Sequence, residues 1–258
     1  MLKKTINNKF FIIFIFVSIF VSFFLLQFFL SNISITISFP PRINKKALLV
    51  GGEFEHKQGI NLMESLLKKR GYDCYSFISS YKEEILDNLK ETATDANELI
   101  FFYSGHGNYK ENKTYLYLGG DEKDSVNTKI LASELFDLLS EFKCKKVIIL
   151  DACHSGGFVD YAKSAKINNC VVIASCPVKN ISMTSTNFIK GKRIGQLTFG
   201  LYNILKYKRR VNLSKVNILC AKESFRKDPS KVEASFKRKV KSKLSFKMQR
   251  YSDIDFYL

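Results

Sequence analysis

The sequence is poor in acid: its 258 residues carry 24 Asp and Glu against 41 Lys and Arg, a formal net charge of +17. The excess is local, since residues 206–250 hold sixteen basic side chains and three acidic ones, and the remainder is close to balance. Glycine (13) and proline (4) are too scarce for a collagenous or low-complexity chain, and no period repeats along it, which excludes solenoids and propellers. Six cysteines are too few for a disulfide scaffold. Cys74, Cys144, Cys170, Cys176 and Cys220 mostly lie in or beside apolar runs, as small reduced hydrophobes do, which favours a reducing, cytosolic compartment for the domain that holds them.

Charge is missing altogether from Phe10 to Pro41. Residues 10–30 form a run of 21, broken only by Ser18, Ser22 and Gln27, long enough as a helix to span a bilayer. The run leaves through Leu30, Ser31 and Asn32 with no small-residue cleavage site, so a retained single-pass anchor is expected rather than a removed signal. Residues 1–9 then make a basic flank, and residues 31–44, with Pro40 and Pro41 near their end, a short tether. Lys3, Lys4 and Lys9 before the run are matched by Arg42, Lys45 and Lys46 after it, so flanking charge leaves the orientation open.

From residue 45 to 258 the pattern is that of one α/β domain. The apolar runs 47–50, 99–103, 147–150 and 171–173 read as strands buried on both faces. Between and after them Ile60, Met63, Leu66 and Leu67 share a helical face, as do Leu131, Leu135, Leu138, Leu139 and Phe142, and Leu197, Leu201, Ile204 and Leu205. A strand over 72–78 and a helix over 82–90 fit the same order. Alternating strands and helices predict a mainly parallel sheet covered on both faces, with chemistry collected beyond the carboxyl ends of its strands.

Two strand ends carry unusual chemistry. The run at 99–103 continues Ser104-Gly105-His106-Gly107, and the run at 147–150 continues Asp151-Ala152-Cys153-His154-Ser155-Gly156. His106 and Cys153 are 47 residues apart with a helix between them, so a crossover places both strand ends at one edge of the sheet. A thiol is a weak nucleophile at its free pKa of about 8.5, and an adjacent imidazole supplies what it lacks by taking its proton and returning one to a leaving amine. A histidine near a strand end is usually structural; one between two glycines, with a matching cysteine, points to catalysis. His154 points away from Cys153 in an extended chain and reads as a loop residue. His56 carries no signal of its own. A zinc site from Cys153, His154 and His106 lacks paired ligand spacing and a fourth donor.

These segments resemble the caspase and metacaspase superfamily of cysteine peptidases. D-A-C-H-S-G is the metacaspase-like form of the cysteine motif, and the histidine lies at the family's spacing before it. Residues 115–118 leading to Asp121 are similar to the hairpin after the family's histidine, residues 195–201 to its later helix, and Gln249 with residues 255–258 to its closing strand. The resemblance implies a three-layer α/β/α caspase-like fold, a Cys153 nucleophile, His106 as general acid and base, and an oxyanion hole from the backbone N–H groups of Gly107 and Cys153. It implies that Asp151 lies in the primary specificity pocket and selects polypeptides cleaved after Arg or Lys. Residues 175–180 lack the acids that typical metacaspases carry there, and Lys179 would oppose a basic substrate. No cofactor is required by such chemistry, although Asp121, Glu122 and Asp124 suit a calcium site of the kind some metacaspases use. Lys163 and Lys166 match the segment where relatives are cut during activation.

Two further expectations concern surfaces and alternatives. Val232, Phe236 and Val240 recur at intervals of four within the basic stretch 206–250, predicting a basic amphipathic helix able to contact anionic lipid, worth on the order of 1 kcal/mol per well-placed cation. No nucleic-acid motif accompanies that charge, so nucleic acid is not an expected partner. The competing readings are a catalytically idle, membrane-tethered scaffold of the same fold, and a legumain-like peptidase or transpeptidase.

Overall fold

The computed structural model describes residues 8–32, 43–78, 81–119, 126–179, 182, 184–189, 192–213, 249–252 and 254–258. The chain divides into two units, residues 1–42 and 43–258. In the first, Asn8–Asn32 is a single 25-residue helix, α1. Its described side chains run from Phe14 to Phe28, and Phe14, Phe16, Phe20, Phe24 and Phe28 are among its exposed apolar groups. Among the described residues no helix is long and apolar enough to cross a membrane, so the expected transmembrane anchor finds no support there.

The second unit is built on a six-stranded sheet. In chain order its elements are β1 (Lys45–Gly51), α2 (Lys57–Lys68), β2 (Asp73–Ile78), α3 (Lys82–Thr94), β3 (Glu98–Ser104), β4 (Gly107–Lys110), β5 (Lys113–Tyr117), β6 (Lys129–Leu131), α4 (Ala132–Ser140), β7 (Lys145–Asp151), α5 (Gly156–Ser164), β8 (Cys170–Ala174), β9 (Thr184–Ile189), β10 (Lys192–Gly195), α6 (Gln196–Tyr207) and β11 (Gln249–Ser252). The main sheet runs β11-β8-β7-β3-β1-β2. Its first five strands in sequence are mutually parallel, and β11 lies antiparallel to β8 at one edge.

Alternation along the strands feeds two cores. Leu48, Val50, Leu99, Phe101, Tyr103, Ile148 and Leu150 face α3, α4 and α5, whose Ile85, Leu89, Leu135, Phe136 and Phe158 complete that layer. Ala47, Leu49, Ile100, Phe102, Val147 and Ile149 face α2 and α6, through Ile60, Met63, Leu67, Leu197 and Leu201. A strand buried on both faces needs apolar residues at every position, which is why these runs are unbroken. The three-layer α/β/α order expected for the domain is therefore present.

Details differ from the sequence expectation. Helix α3 continues four residues beyond 90, to Thr94. The closing strand consists of Gln249–Ser252 alone; near the end of the chain Tyr257 makes only an isolated bridge, to Asn212. The hairpin β9–β10 was given by no apolar pattern. The amphipathic helix expected around 232–240 lies outside the described residues.

Strand order reverses at β1, which pairs with β2 on one side and β3 on the other. The crevice at the carboxyl ends of β1 and β3 is thus a topological switch point, where open α/β sheets hold their ligands.

Candidate active site

Register places the two expected catalytic residues. Ser104 at the end of β3 pairs with Asp151 at the end of β7, so His106 and Cys153 each stand two residues past one matched pair at the carboxyl edge of the sheet. The backbones then touch: Gly105 N–H donates to the Asp151 carbonyl at 3.2 Å, and a Cβ built on Gly107 would overlap the carbonyl oxygen of Cys153.

Each loop is braced from below. The buried hydroxyl of Tyr103 bonds the carbonyls of His106, at 2.8 Å, and Tyr117, while Tyr117 N–H donates to the His106 carbonyl at 2.9 Å. On the other loop, the Ser175 hydroxyl accepts from Ala152 N–H at 3.2 Å and lies 2.9 Å from the Ala152 carbonyl, to which the Cys176 thiol also donates at 3.4 Å.

The sequence matches the caspase domain over residues 44–248. The chain belongs to the caspase domain family. Among solved structures the domain is similar to the Drosophila initiator caspase Dronc, with 9% identity over 72% of this chain and 75% of that one and a TM-score of 0.51. Similarity to Raptor from Chaetomium thermophilum is fainter, with a TM-score of 0.39 and 13% identity over 56% of this chain. The chain spans 16% of the length of that Raptor. No curated protein matches the sequence.

Within this caspase domain the thiol of Cys153 is half-buried and donates to the Ser182 carbonyl at 3.7 Å. Burial pushes its pKa up, only partly offset by bonding, and the nearby Asp151 carboxylate pushes the same way. Both effects favour the protonated thiol. Among the described residues Cys74, Cys144, Cys170 and Cys176 form no disulfide.

His106 is half-exposed, and its Nε2 faces two carboxylates, Glu53 Oε2 at 3.7 Å and Glu55 Oε1 at 3.8 Å. Both come from the turn after β1. His56, in the same turn, stacks edge-on against the His106 ring with centroids 5.7 Å apart. Its Nδ1 lies 3.5 Å from the Ser104 hydroxyl, and its buried Nε2 has no hydrogen-bond partner. Burial lowers the pKa of His56 against the pull of Glu55, which favours the neutral ring. Sequence reasoning assigned His56 no role; the available signal was that β1 ends in Gly51-Gly52 at the same sheet edge as His106.

Asp151 is 4% exposed, on the α2 and α6 face of β7. Its Oδ2 accepts the N–H of Thr198 at 2.9 Å and its hydroxyl at 2.6 Å, capping the first turn of α6 from outside the helix. Oδ1 receives the Ser182 hydroxyl at 3.4 Å. A Cβ at Gly195 would overlap Oδ2, so a glycine at the helix entry lets the carboxylate approach. Burial raises the pKa of Asp151, with the Thr198 bonds opposing. Lys179 is exposed.

Other expected positions separate from the site. His154 has a φ of 59°, and its Nδ1–H donates to the Val178 carbonyl at 2.7 Å; a carbonyl only accepts, which fixes that tautomer and makes the ring a structural brace. Its backbone is left-handed, where an extended chain was expected. Lys163 is the penultimate residue of α5 and Lys166 follows with a φ of 50°, both exposed. Because α5 runs back to the start of β8, these lysines lie at the amino edge of the sheet, on the order of 15–20 Å of strand rise from Cys153. Asp121, Glu122 and Asp124 lie outside the described residues.

Proposed function

We propose that the chain is a cysteine endopeptidase whose Cys153 attacks the carbonyl carbon of a peptide bond while His106 takes the thiol proton. The supporting observation is the Ser104–Asp151 register, which brings the two residues to one edge on touching backbones. The C–N bond then breaks as His106 returns the proton to the leaving amine, leaving an acyl-cysteine, and water activated by the same imidazole hydrolyses it. Backbone N–H groups of Gly107 and Cys153 serve the oxyanion. Glu53 and Glu55 stand beside the ring nitrogen of an imidazole that becomes positive during transfer, which favours that charge.

Preference for Arg or Lys before the scissile bond rests on Asp151. Its Oδ2 is occupied by Thr198, so a substrate cation reaches the carboxylate through Oδ1 by displacing the Ser182 hydroxyl. Exposure of Lys179 allows its ammonium to turn to water rather than into the pocket. Activating cleavage at Lys163 or Lys166 is intermolecular in this fold, because both lie across the sheet from Cys153. The helical placement of Lys163 makes Lys166, in the following turn, the more accessible bond.

The apolar segment 10–30 is proposed to anchor the enzyme as a single-pass protein, with the basic stretch 206–250 resting on anionic lipid and the catalytic domain on the reducing side. Carbonate extraction of membranes containing the full chain tests this: the protein stays in the pellet if anchored and leaves it if not.

An Arg-terminated peptide bearing an acyloxymethyl ketone tests the site. A single adduct mapped to Cys153 by mass spectrometry, absent in His106→Ala, supports the reading; labelling that ignores His106 contradicts it.

A further inference from the structure

We infer that the turn after β1 and the imidazole of His106 together form a site for a zinc-type divalent cation, with His56 Nε2, His106 Nε2 and Glu55 Oε1 as its ligands. One ligand atom from each of these three residues lies within 4.8 Å of the other two. Glu55 Oε1 is 3.6 Å from His56 Nε2 and 3.8 Å from His106 Nε2. Donors placed about 2.0–2.2 Å from a tetrahedral ion stand roughly 3.3–3.5 Å apart, so both contacts to Glu55 close on an ion with movements of a few tenths of an ångström. Glu53 Oε2, 3.7 Å from His106 Nε2, lies on the same nitrogen.

The independent observation is His56. Its Nε2 is buried and lacks a hydrogen-bond partner, a costly state for a ring nitrogen. The Ser104 hydroxyl at its Nδ1 suits the tautomer with the proton on Nδ1, which leaves the Nε2 lone pair directed into the cluster. Two imidazoles and one carboxylate match a borderline ion such as Zn2+; Ca2+ and Mg2+ prefer oxygen donors. Three protein ligands leave a fourth position open to water.

An ion on His106 Nε2 ties down the ring that the proposed peptidase uses for proton transfer, so occupancy inhibits turnover; this consequence rests on the peptidase reading, whereas binding does not. Glu55, which assists the imidazolium in the metal-free enzyme, then serves as a ligand.

The test is equilibrium dialysis of the full-length chain against Zn2+, with Co2+ as a spectroscopic substitute. One ion per chain is expected, with His56→Ala and Glu55→Gln each weakening binding at least tenfold and Cys153→Ala binding as the wild type does. Glu55 is two-thirds exposed, so its variant guards against a folding defect at His56. No sulfur-to-cobalt charge-transfer band should accompany Co2+. Loss of the ion in Cys153→Ala, or such a band, overturns the proposal by placing the ion on the cysteine; wild-type binding in both turn variants, or no binding at all, overturns it too. Zinc bound with these variant effects in a protein without turnover keeps the site and rejects its inhibitory role.

Discussion

Gly107 lies so close to the carbonyl of Cys153 that the backbone itself joins the histidine loop to the cysteine loop. A side chain of any size must push the two apart. Gly107→Ala is expected to keep the fold, since the contact lies beyond the carboxyl edge of the main sheet, and to lose about 100-fold or more in kcat/KM, the scale on which a misplacement near 1 Å acts. Near-UV circular dichroism beside steady-state kinetics checks both halves; wild-type turnover would show that the contact does not set the geometry.

Tyr103 holds the other side of the histidine loop. Tyr103→Phe removes the buried hydroxyl shared by the His106 and Tyr117 carbonyls, while the Tyr117 N–H bond to His106 survives. A loss of about 1 kcal/mol in urea unfolding is expected, with a lower kcat. An unchanged midpoint would mean that the hydroxyl adds nothing to the loop.

Cys153 is expected to alkylate slowly near neutrality. Burial raises its pKa, so the thiolate forms only as pH climbs past the free-cysteine value of about 8.5. Iodoacetamide labelling of the substrate-free enzyme, followed by peptide mapping, should give a midpoint above that of free cysteine. A midpoint below it would require a preformed thiolate–imidazolium pair.

Asp151 links stability to the proposed specificity. Its pKa is raised in the folded state, so the native protein holds this proton more tightly than the unfolded chain; the resulting contribution to stability is full below about pH 3.9 and falls as pH rises through the folded value. Asp151→Asn should remove that slope from acid unfolding curves. It should also weaken the cap on α6 by about 1–2 kcal/mol and abolish any preference for Arg over neutral residues. Preference retained in the variant would move the pocket elsewhere.

The layers, the main strands and the two strand ends were legible because burial on both faces demands unbroken apolar runs, and because glycines and a cysteine directly after such runs are chemically unusual. Edge strand β2 showed less because half its side chains face solvent. The braces at Thr198, Ser175 and Tyr103, and the role of His56, were not legible. They arise from tertiary approach between segments far apart in sequence, and no local period records a hydroxyl meeting a carboxylate 47 residues away.

The proposed activating cut at Lys166 must be intermolecular, because that residue lies across the sheet from Cys153. Incubating Cys153→Ala chain with catalytic amounts of wild type should cut the inactive chain at a rate proportional to enzyme concentration. Cleavage of wild type alone at a concentration-independent rate would indicate an intramolecular route that this fold does not offer.

The most direct test is turnover of fluorogenic peptides ending in Arg, Lys, Asn or Asp by the full-length chain, beside Cys153→Ala and His106→Ala and with chelator present to free the histidine. Hydrolysis after Arg or Lys that disappears in both variants is the predicted result. Hydrolysis that survives in either variant, or none with any peptide while the protein is folded, would contradict a Cys153–His106 peptidase.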